Sequence, residues 1–175
     1  MHTINGDFMY YYFNLFLINS FLGFLFETSL KTFFFPDMHN GILFGPWIPV
    51  YGFGAVIICI VFRFIFKHFK VCRLWKTVIL FFSVFLLLSF LEWVGGMLIE
   101  TIFHKEFWNY RNQKYNLGPY ISLGMSLFWG GMSLLFVYVI LPLEEKIIKK
   151  IPRFFTVFVF FFLLLDCLFT YFLVS

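Results

Sequence analysis

Two glutamates stand in apolar runs, and each is followed four residues later by a basic or titratable side chain. Glu27 precedes Lys31, and Glu100 precedes His104. Side chains four residues apart meet on one face of a helix, so each pair can form a local ion pair. A carboxylate within lipid otherwise needs a proton, a cavity or a ligand. The residues leave two interpretations open: interface-anchored ion pairs, or a polar cluster that binds a cation, a proton or a small polar ligand.

Two further acids lie deeper in apolar runs. Glu92 stands beside Trp93 and shortly before Gly95 and Gly96, which would let another helix approach closely. Asp166 is the one acidic residue in the last apolar run, between Phe154 and Val174. We expect separate hydrogen bonds to neighbouring hydroxyl groups; a shared proton or a bound cation is the alternative.

The amino-acid composition indicates the class of protein in which these acids lie. Of the 175 residues, 62% are hydrophobic, 26% aromatic and 13% charged. Soluble domains are about half apolar and a quarter charged, so this composition argues against a soluble, disordered or disulfide-built chain. The net charge of +4 lies in short segments between apolar runs, which argues against nucleic acid as a partner. The three cysteines are scattered, so we predict no disulfide, metal or cofactor.

Five runs are long enough to cross a bilayer as helices, which need about 20 residues each. Prolines at several borders fit helix ends. The predicted fold is an all-α integral membrane protein with one transmembrane domain over residues 1–175. The predicted spans are Phe8 to Phe35, Val50 to Phe69, Trp75 to Phe103, Tyr120 to Leu141, the last residue before Pro142, and Phe154 to Val174.

Lysine and arginine counts predict the orientation. The linkers on one side hold Lys67, Lys70, Arg73, Lys76, Lys146, Lys149, Lys150 and Arg153. The other side holds Lys31, Lys105, Arg111 and Lys114. Because basic residues concentrate on the cytoplasmic side, the N-terminus is predicted inside and the C-terminus outside. The first outer segment, residues 38–52, is apolar yet rich in glycine and proline, so it either folds back into the helices or lies flat at the interface.

An internal repeat appears when the sequence is shifted by 73 residues (100 − 27). Glu27-Thr28 then matches Glu100-Thr101, and Gly45-Pro46 matches Gly118-Pro119. Two parallel repeats of helix, outer loop and helix follow, over about residues 8–69 and 75–141, with an extra helix over about 153–175. This predicts a polar site between the two halves near the outer face. A duplication kept only for packing is the alternative.

The candidate ligand or ion-binding residues are Glu27, Lys31, Glu92, Glu100, His104 and Asn116. The loop residues expected to line that site are Gly45, Pro46, Trp47, Pro49, Tyr51, Trp108 and Tyr110. The Trp108-Asn109-Tyr110 stretch is either an interfacial aromatic belt or a lid. Phosphate-loop, zinc-protease and nucleophile-elbow motifs are absent from the sequence, so we predict no enzyme; an intramembrane acid–base enzyme is the weakest of the hypotheses.

Several rare-residue motifs occur in a familiar order: G-P-W-I-P-V-Y-G, L-E-W-V-G-G, F-W-N-Y and N-L-G-P-Y-I-S. From Asn14 to Pro142 the chain resembles a bacterial family of small membrane proteins named putative ABC-transporter permeases (type IV, CmpB-like). The resemblance implies a multi-pass protein of the bacterial plasma membrane that takes part in transport.

Three positions depart from that family's pattern. Asn40-Gly41 stands where the family usually has Arg-Gly, Asn109 replaces an aspartate, and Pro119-Tyr120 replaces a Gly-Arg pair. An outer ion-pair network that relies on those residues is lost or altered here.

These observations lead to a transport component that would work with a separate ATPase subunit or another membrane protein, and that could form a homo-oligomer. The alternative is a structural or regulatory membrane protein that packs against a larger complex and transports nothing.

Overall fold

The computed structural model describes residues 2–33, 41, 43–104, 106 and 108–174, with the side chains of residues 2–7, 103 and 174 outside that description. The predicted end of the first span at Phe35 lies outside the described residues, as do Asn40 and Lys105.

The described chain is almost entirely helical. Its helices are α1 (His2–Phe33), α2 (Pro49–His68), α3 (Arg73–Phe103), α4 (Leu123–Leu135), α5 (Leu141–Ile148) and α6 (Arg153–Val174). Within the described residues, five stretches are long and apolar enough to cross a bilayer, since 20 helical residues cover about 30 Å. They are Phe8–Phe33, Pro49–His68, Arg73–Ile102, Leu123–Ile148 and Arg153–Leu173. The five predicted spans are therefore confirmed.

The fourth span does not end at Pro142. A π-helical segment, Phe136–Ile140, joins α4 to α5, and the N–H of Leu141 donates to the carbonyl of Phe136. Proline lacks the N–H of a regular turn and crowds the carbonyl four residues earlier, whereas a wider turn relieves both problems. The prediction that Pro142 terminates the span is wrong, because the helix continues to Ile148.

The loop between α3 and α4, which the sequence predicts to be the second outer loop, contains a short β-hairpin, and the described fold is otherwise all-helical as predicted. Asn116–Leu117 pairs antiparallel with Ile121–Ser122. The predicted start of the fourth span at Tyr120 is too early, because α4 begins at Leu123. The Oγ of Ser122 accepts the N–H of Met125 at 3.2 Å and caps this helix.

The described chain divides into two compact units. The first contains residues up to Ile57 together with those from Pro142 onward, so it holds α1, the first turns of α2, most of α5, and α6. The hydroxyl of Thr156 on α6 donates to Oδ1 of Asn14 on α1 at 2.8 Å. Its buried cluster consists of Phe16, Leu17 and Leu163.

The second unit is Ile58–Leu141 and holds the rest of α2, α3, the hairpin, α4 and the π-helical segment. Small residues let α3 and α4 pack closely. The ring of Phe81 lies where a Cβ on Gly130 would be, and the hydroxyl of Ser89 donates to that of Ser126. The repeat boundaries and the single-domain organisation remain predictions.

Candidate functional site

The first outer loop folds back against α1 and α6. The N–H of Ile48 donates to the carbonyl of Ser20 at 3.0 Å. Ser20 lies 13 residues before Phe33, the end of α1, which is about 20 Å along the helix axis. Ile48 is buried, and Trp47 packs on the buried cluster of the first unit. Of the two alternatives that the sequence left open, residues 43–48 follow the first, because they fold back against the helices.

Asp166 on α6 anchors this loop. Its Oδ1 accepts the N–H of Phe44 at 3.1 Å, and its Oδ2 accepts the N–H of Gly45 at 2.8 Å. Within lipid, the N–H groups of irregular backbone need acceptors from the protein, and a carboxylate needs donors. The loop amides and the Asp166 carboxylate therefore satisfy each other. The expectation that Asp166 bonds to neighbouring hydroxyl groups is wrong, since backbone amides take that place.

The local sequence explains how the chain reaches α6 so closely. A Cβ on Gly45 would lie 2.8 Å from Oδ2 of Asp166 and 2.5 Å from Nε1 of Trp47, so a larger residue would displace the loop. Pro46 follows and is exposed. Pro49 is the first residue of α2, where the missing N–H has no helical partner to lose.

Glu27 is bonded to a tyrosine rather than to a base. The hydroxyl of Tyr51, on the first turn of α2, donates to the Glu27 carboxylate. Gly23 lies four residues before Glu27 and therefore on the same face of α1. The Tyr51 ring occupies the space that a Cβ on Gly23 would fill. The Tyr51 ring therefore packs against Gly23, and its hydroxyl donates to Glu27 one turn later.

The second unit repeats this arrangement. The Tyr120 ring lies where a Cβ on Gly96 would be, and its hydroxyl donates to Oε2 of Glu100 at 2.7 Å. The hydrogen bond to Glu100, followed by burial, raises the pKa of Tyr120 to about 12, so this hydroxyl remains a donor at neutral pH. Tyr120 is buried whereas Glu100 is exposed.

The sequence analysis did not place Tyr120 among the candidate site residues. The 73-residue shift aligns it with Trp47. In the structure, however, the residue of the first unit that hydrogen-bonds to the glutamate is Tyr51. The first loop runs directly into α2 at Pro49, so its tyrosine stands on the helix. Tyr51 follows Glu27 by 24 residues (51 − 27), whereas Tyr120 follows Glu100 by 20 (120 − 100) and precedes α4. A fixed shift of 73 residues therefore cannot align the two tyrosines.

Lys31 and His104 are not the partners of these glutamates. Among the described residues, neither forms an ion pair with the glutamate of its own helix. Lys31 is half-buried on α1. His104 ends α3 in the left-handed conformation (φ 52°), and its N–H donates to the Glu100 carbonyl at 2.9 Å. The interpretation as local ion pairs is therefore wrong.

Glu92 on α3 anchors the second outer loop. The hydroxyl of Tyr110 donates to Oε1 of Glu92 at 2.9 Å, and Trp129 on α4 also hydrogen-bonds to this carboxylate. Burial raises the pKa of Tyr110, and the charge and hydrogen bond of Glu92 raise it further. Oε2 of Glu92 is buried without a partner in the described part of the chain. The Tyr110 side chain therefore points toward α3.

Asn116 and Trp108 belong to the same loop. The side-chain amide of Asn116 donates to the Tyr110 carbonyl at 3.0 Å, and the Tyr110 N–H donates to the Pro119 carbonyl at 2.7 Å. The Trp108 and Tyr120 rings lie 6.1 Å apart. Nε1 of Trp108 is buried with no acceptor among the described atoms. Asn116 therefore supports the tyrosine that contacts Glu92.

A family model described as "Putative ABC-transporter type IV" matches residues 14–171. The chain belongs to this family. No curated protein and no solved structure matches it significantly. With its five bilayer-length helices, this type IV chain is a multi-pass membrane protein of an ABC-transporter family. The match extends past Pro142, where the sequence resemblance ends, and includes Asp166 on α6.

One acid of this type IV chain escaped the sequence analysis. Glu144 is only 3% exposed, and its Oε2 accepts a hydrogen bond from the Asn19 side chain at 3.0 Å. Its Oε1 is buried without a partner among the described atoms. Because the fourth span is predicted to end at Pro142, Glu144 falls in the predicted solvent-exposed linker between the fourth and fifth spans. Asn19, an amide within the first apolar run, was the signal that could have indicated it.

Proposed function

We propose that the chain is a membrane transport component, an ABC-type permease subunit, whose polar sites near the outer face are the Glu27–Tyr51 and Glu100–Tyr120 pairs. The observation that carries this proposal is repetition: each compact unit has a glycine and a glutamate one turn apart on a span, closed by a tyrosine. Transporters are commonly built from repeats with irregular backbone beside the binding site. The family membership supports the same class of function.

Each pair has the chemistry of a small polar site. In the second unit, Tyr120 occupies Oε2 of Glu100, and Oε1 forms no hydrogen bond among the described residues. Because Glu100 is exposed, that oxygen can accept a donor from a ligand or contact a cation. The hypothesis that both pairs act on one ligand, with Glu92 and Asn116 in support, remains a prediction from the sequence repeat.

An ABC-type permease would need a separate ATPase subunit, because this sequence has no phosphate-binding loop motif. On the side predicted to be cytoplasmic, residues 69–72 join α2 to α3 and residues 149–152 join α5 to α6. Connections this short have no room for a separate coupling helix. The partner would therefore contact helix ends and their basic side chains.

Co-purification tests this proposal. We expect a nucleotide-binding subunit to accompany the full chain from its native membrane in mild detergent. The double variant Tyr51→Phe/Tyr120→Phe should retain that subunit but lower the ATP hydrolysis of the complex by about fivefold or more, as for coupled sites. Gly54→Ala is the control, because a Cβ there meets nothing within 4 Å. A chain that purifies alone would contradict the ABC assignment, and an unchanged rate would contradict the role of the pairs.

Native cysteines can test the proposed orientation, with the N-terminus inside. Cys72 is exposed in the connection between α2 and α3, whereas Cys59 is buried and Cys167 lies within a membrane span. We expect a membrane-impermeant maleimide to label Cys72 in inside-out vesicles and to leave right-side-out vesicles unlabelled. Cys72→Ser should remove the label. Labelling of right-side-out vesicles alone would reverse the orientation.

A structural or regulatory role within a larger membrane complex is the second candidate. Gly95 on α3 and Gly124 and Gly131 on α4 have no atom within 4 Å of an added Cβ. Such open small-residue positions can receive another helix, from a second copy or from a different protein. Under this hypothesis, the alanine variants of these glycines would dissociate a partner, and the Tyr51→Phe/Tyr120→Phe variant would not.

A further inference from the structure

A groove of about 270 Å³ lies on the surface of the first unit between α1 and α6. Most of its lining is apolar, and it includes Leu17, Ile18, Leu22, Trp47, Phe155 and Val159. On α1 the lining runs from Asn14 to Leu22, a separation of eight residues (22 − 14), or about 12 Å along the helix. A groove of this length and composition matches a single hydrocarbon chain lying parallel to the helices.

One end of the groove carries a polar pair. Asn14 and Thr156 both line it, and the Thr156 hydroxyl donates to Oδ1 of Asn14 at 2.8 Å. The amide N–H groups of Asn14 donate no hydrogen bond within the described part of the chain. They are therefore available to an acceptor inside the groove, such as a carbonyl oxygen.

Basic side chains stand beyond the polar pair. Ile151 lines the end of the groove, and Lys149 and Lys150, which directly precede it, are exposed. Arg153 follows and lies over the Tyr10 ring at 5.2 Å. Thr156 is one helical turn deeper than Arg153. Cationic, amide and apolar groups thus succeed one another from the helix ends inward.

We propose that this groove binds one anionic glycerophospholipid. Lys149 and Lys150 contact its phosphate, the Asn14 amide donates to an ester carbonyl, and one acyl chain follows the groove toward Trp47. A phospholipid presents its charge, its esters and its chains in that same order. Juxtamembrane lysines attract anionic lipid, and each contributes appreciably near the surface. This assignment is independent of the transport proposal.

The second unit has a groove that serves as a comparison. It has a volume of about 310 Å³ and is lined by residues including Ile60, Phe64 and Leu87. Lys67 and Lys70 lie near it in sequence, but its lining contains no amide side chain. Removing these two lysines deletes the same charge as removing Lys149 and Lys150 without touching the Asn14 groove.

Native mass spectrometry of the full chain in mixed micelles tests the site, with phosphatidylglycerol and phosphatidylcholine of identical acyl chains as probes. We expect one retained phosphatidylglycerol in preference to phosphatidylcholine. Lys149→Ala/Lys150→Ala should weaken that binding by about tenfold or more. Lys67→Ala/Lys70→Ala should leave it unchanged. Asn14→Leu should weaken both lipids, because both carry the ester carbonyl.

Three results would overturn the proposal. The first is an equal loss of phosphatidylglycerol in both double-lysine variants, which would mean diffuse charge attraction. The second is full retention by Val159→Phe, which narrows the groove. The third is displacement of the lipid by soluble glycerol phosphate, which would mean that only a phosphate is recognised.

Discussion

Replacing Asp166 with leucine is expected to release the first outer loop and to lower the free energy of unfolding by about 3 kcal/mol. The Asp166 carboxylate accepts the N–H groups of Phe44 and Gly45, and leucine would leave both without an acceptor. The Gly45 bond is part-buried and the Phe44 bond is exposed, and an unsatisfied donor that is removed from water costs about 1–3 kcal/mol. Asp166→Asn keeps one acceptor oxygen and should have an intermediate effect.

Unfolding by sodium dodecyl sulfate in mixed micelles would measure the stability, and hydrogen exchange of residues 43–48 would locate the loss. Leu164→Ala is the control, because this side chain lies on the same helix and is 47% exposed. The control should lower stability slightly and leave exchange in the loop unchanged. Unchanged protection of the Phe44 and Gly45 amides in Asp166→Leu would contradict the anchor.

Glu92→Leu is expected to detach the second outer loop from α3, with a loss of about 2–4 kcal/mol. The Tyr110 hydroxyl and Trp129 would both lose their acceptor. Tyr110 also receives the Asn116 amide at its carbonyl, so its displacement would spread through the hairpin. Glu92→Gln keeps an acceptor for Tyr110 and should cost much less.

A double-mutant cycle with Tyr110→Phe would isolate the contact. Residues in direct contact show coupling of about 0.5–3 kcal/mol, and hydrogen exchange over residues 108–122 would report release of the loop. Leu98→Ala on the exposed face of α3 is the matched control. Additive effects of Glu92→Leu and Tyr110→Phe would show that the two groups do not interact.

Together these contacts explain why both outer loops have irregular backbone close to the helices. In the first unit, an acid on α6 holds backbone amides, and in the second, an acid on α3 holds a tyrosine hydroxyl. Glycine admits the close approach in each case, at Gly45 beside Asp166 and at Gly96 beneath Tyr120. In each unit, an acid on a helix thus fixes the loop, because irregular backbone away from water needs partners from the protein.

The errors of prediction share a cause. Pro142 is a strong local signal for a helix end, yet a π-helical segment before it lets the helix continue and buries Glu144. Lys31 and His104 stand at the spacing of helical ion pairs, yet tyrosines from other segments hold Glu27 and Glu100. In each case a rule about neighbours in sequence was overridden by a contact from elsewhere in the chain.

The sequence by itself determined the class of protein, the number of spans and nearly all of their limits. Those properties depend on the free energy of transferring consecutive residues into lipid. This free energy is a sum over neighbouring residues, so a local stretch of sequence is enough to predict it. Only the tertiary structure decided which group satisfies each acid. Gly45 and Asp166 are 121 residues apart, and Asn19 and Glu144 are 125 apart. Such pairings depend on how helices pack and where loops fold back, which no local pattern of residues encodes.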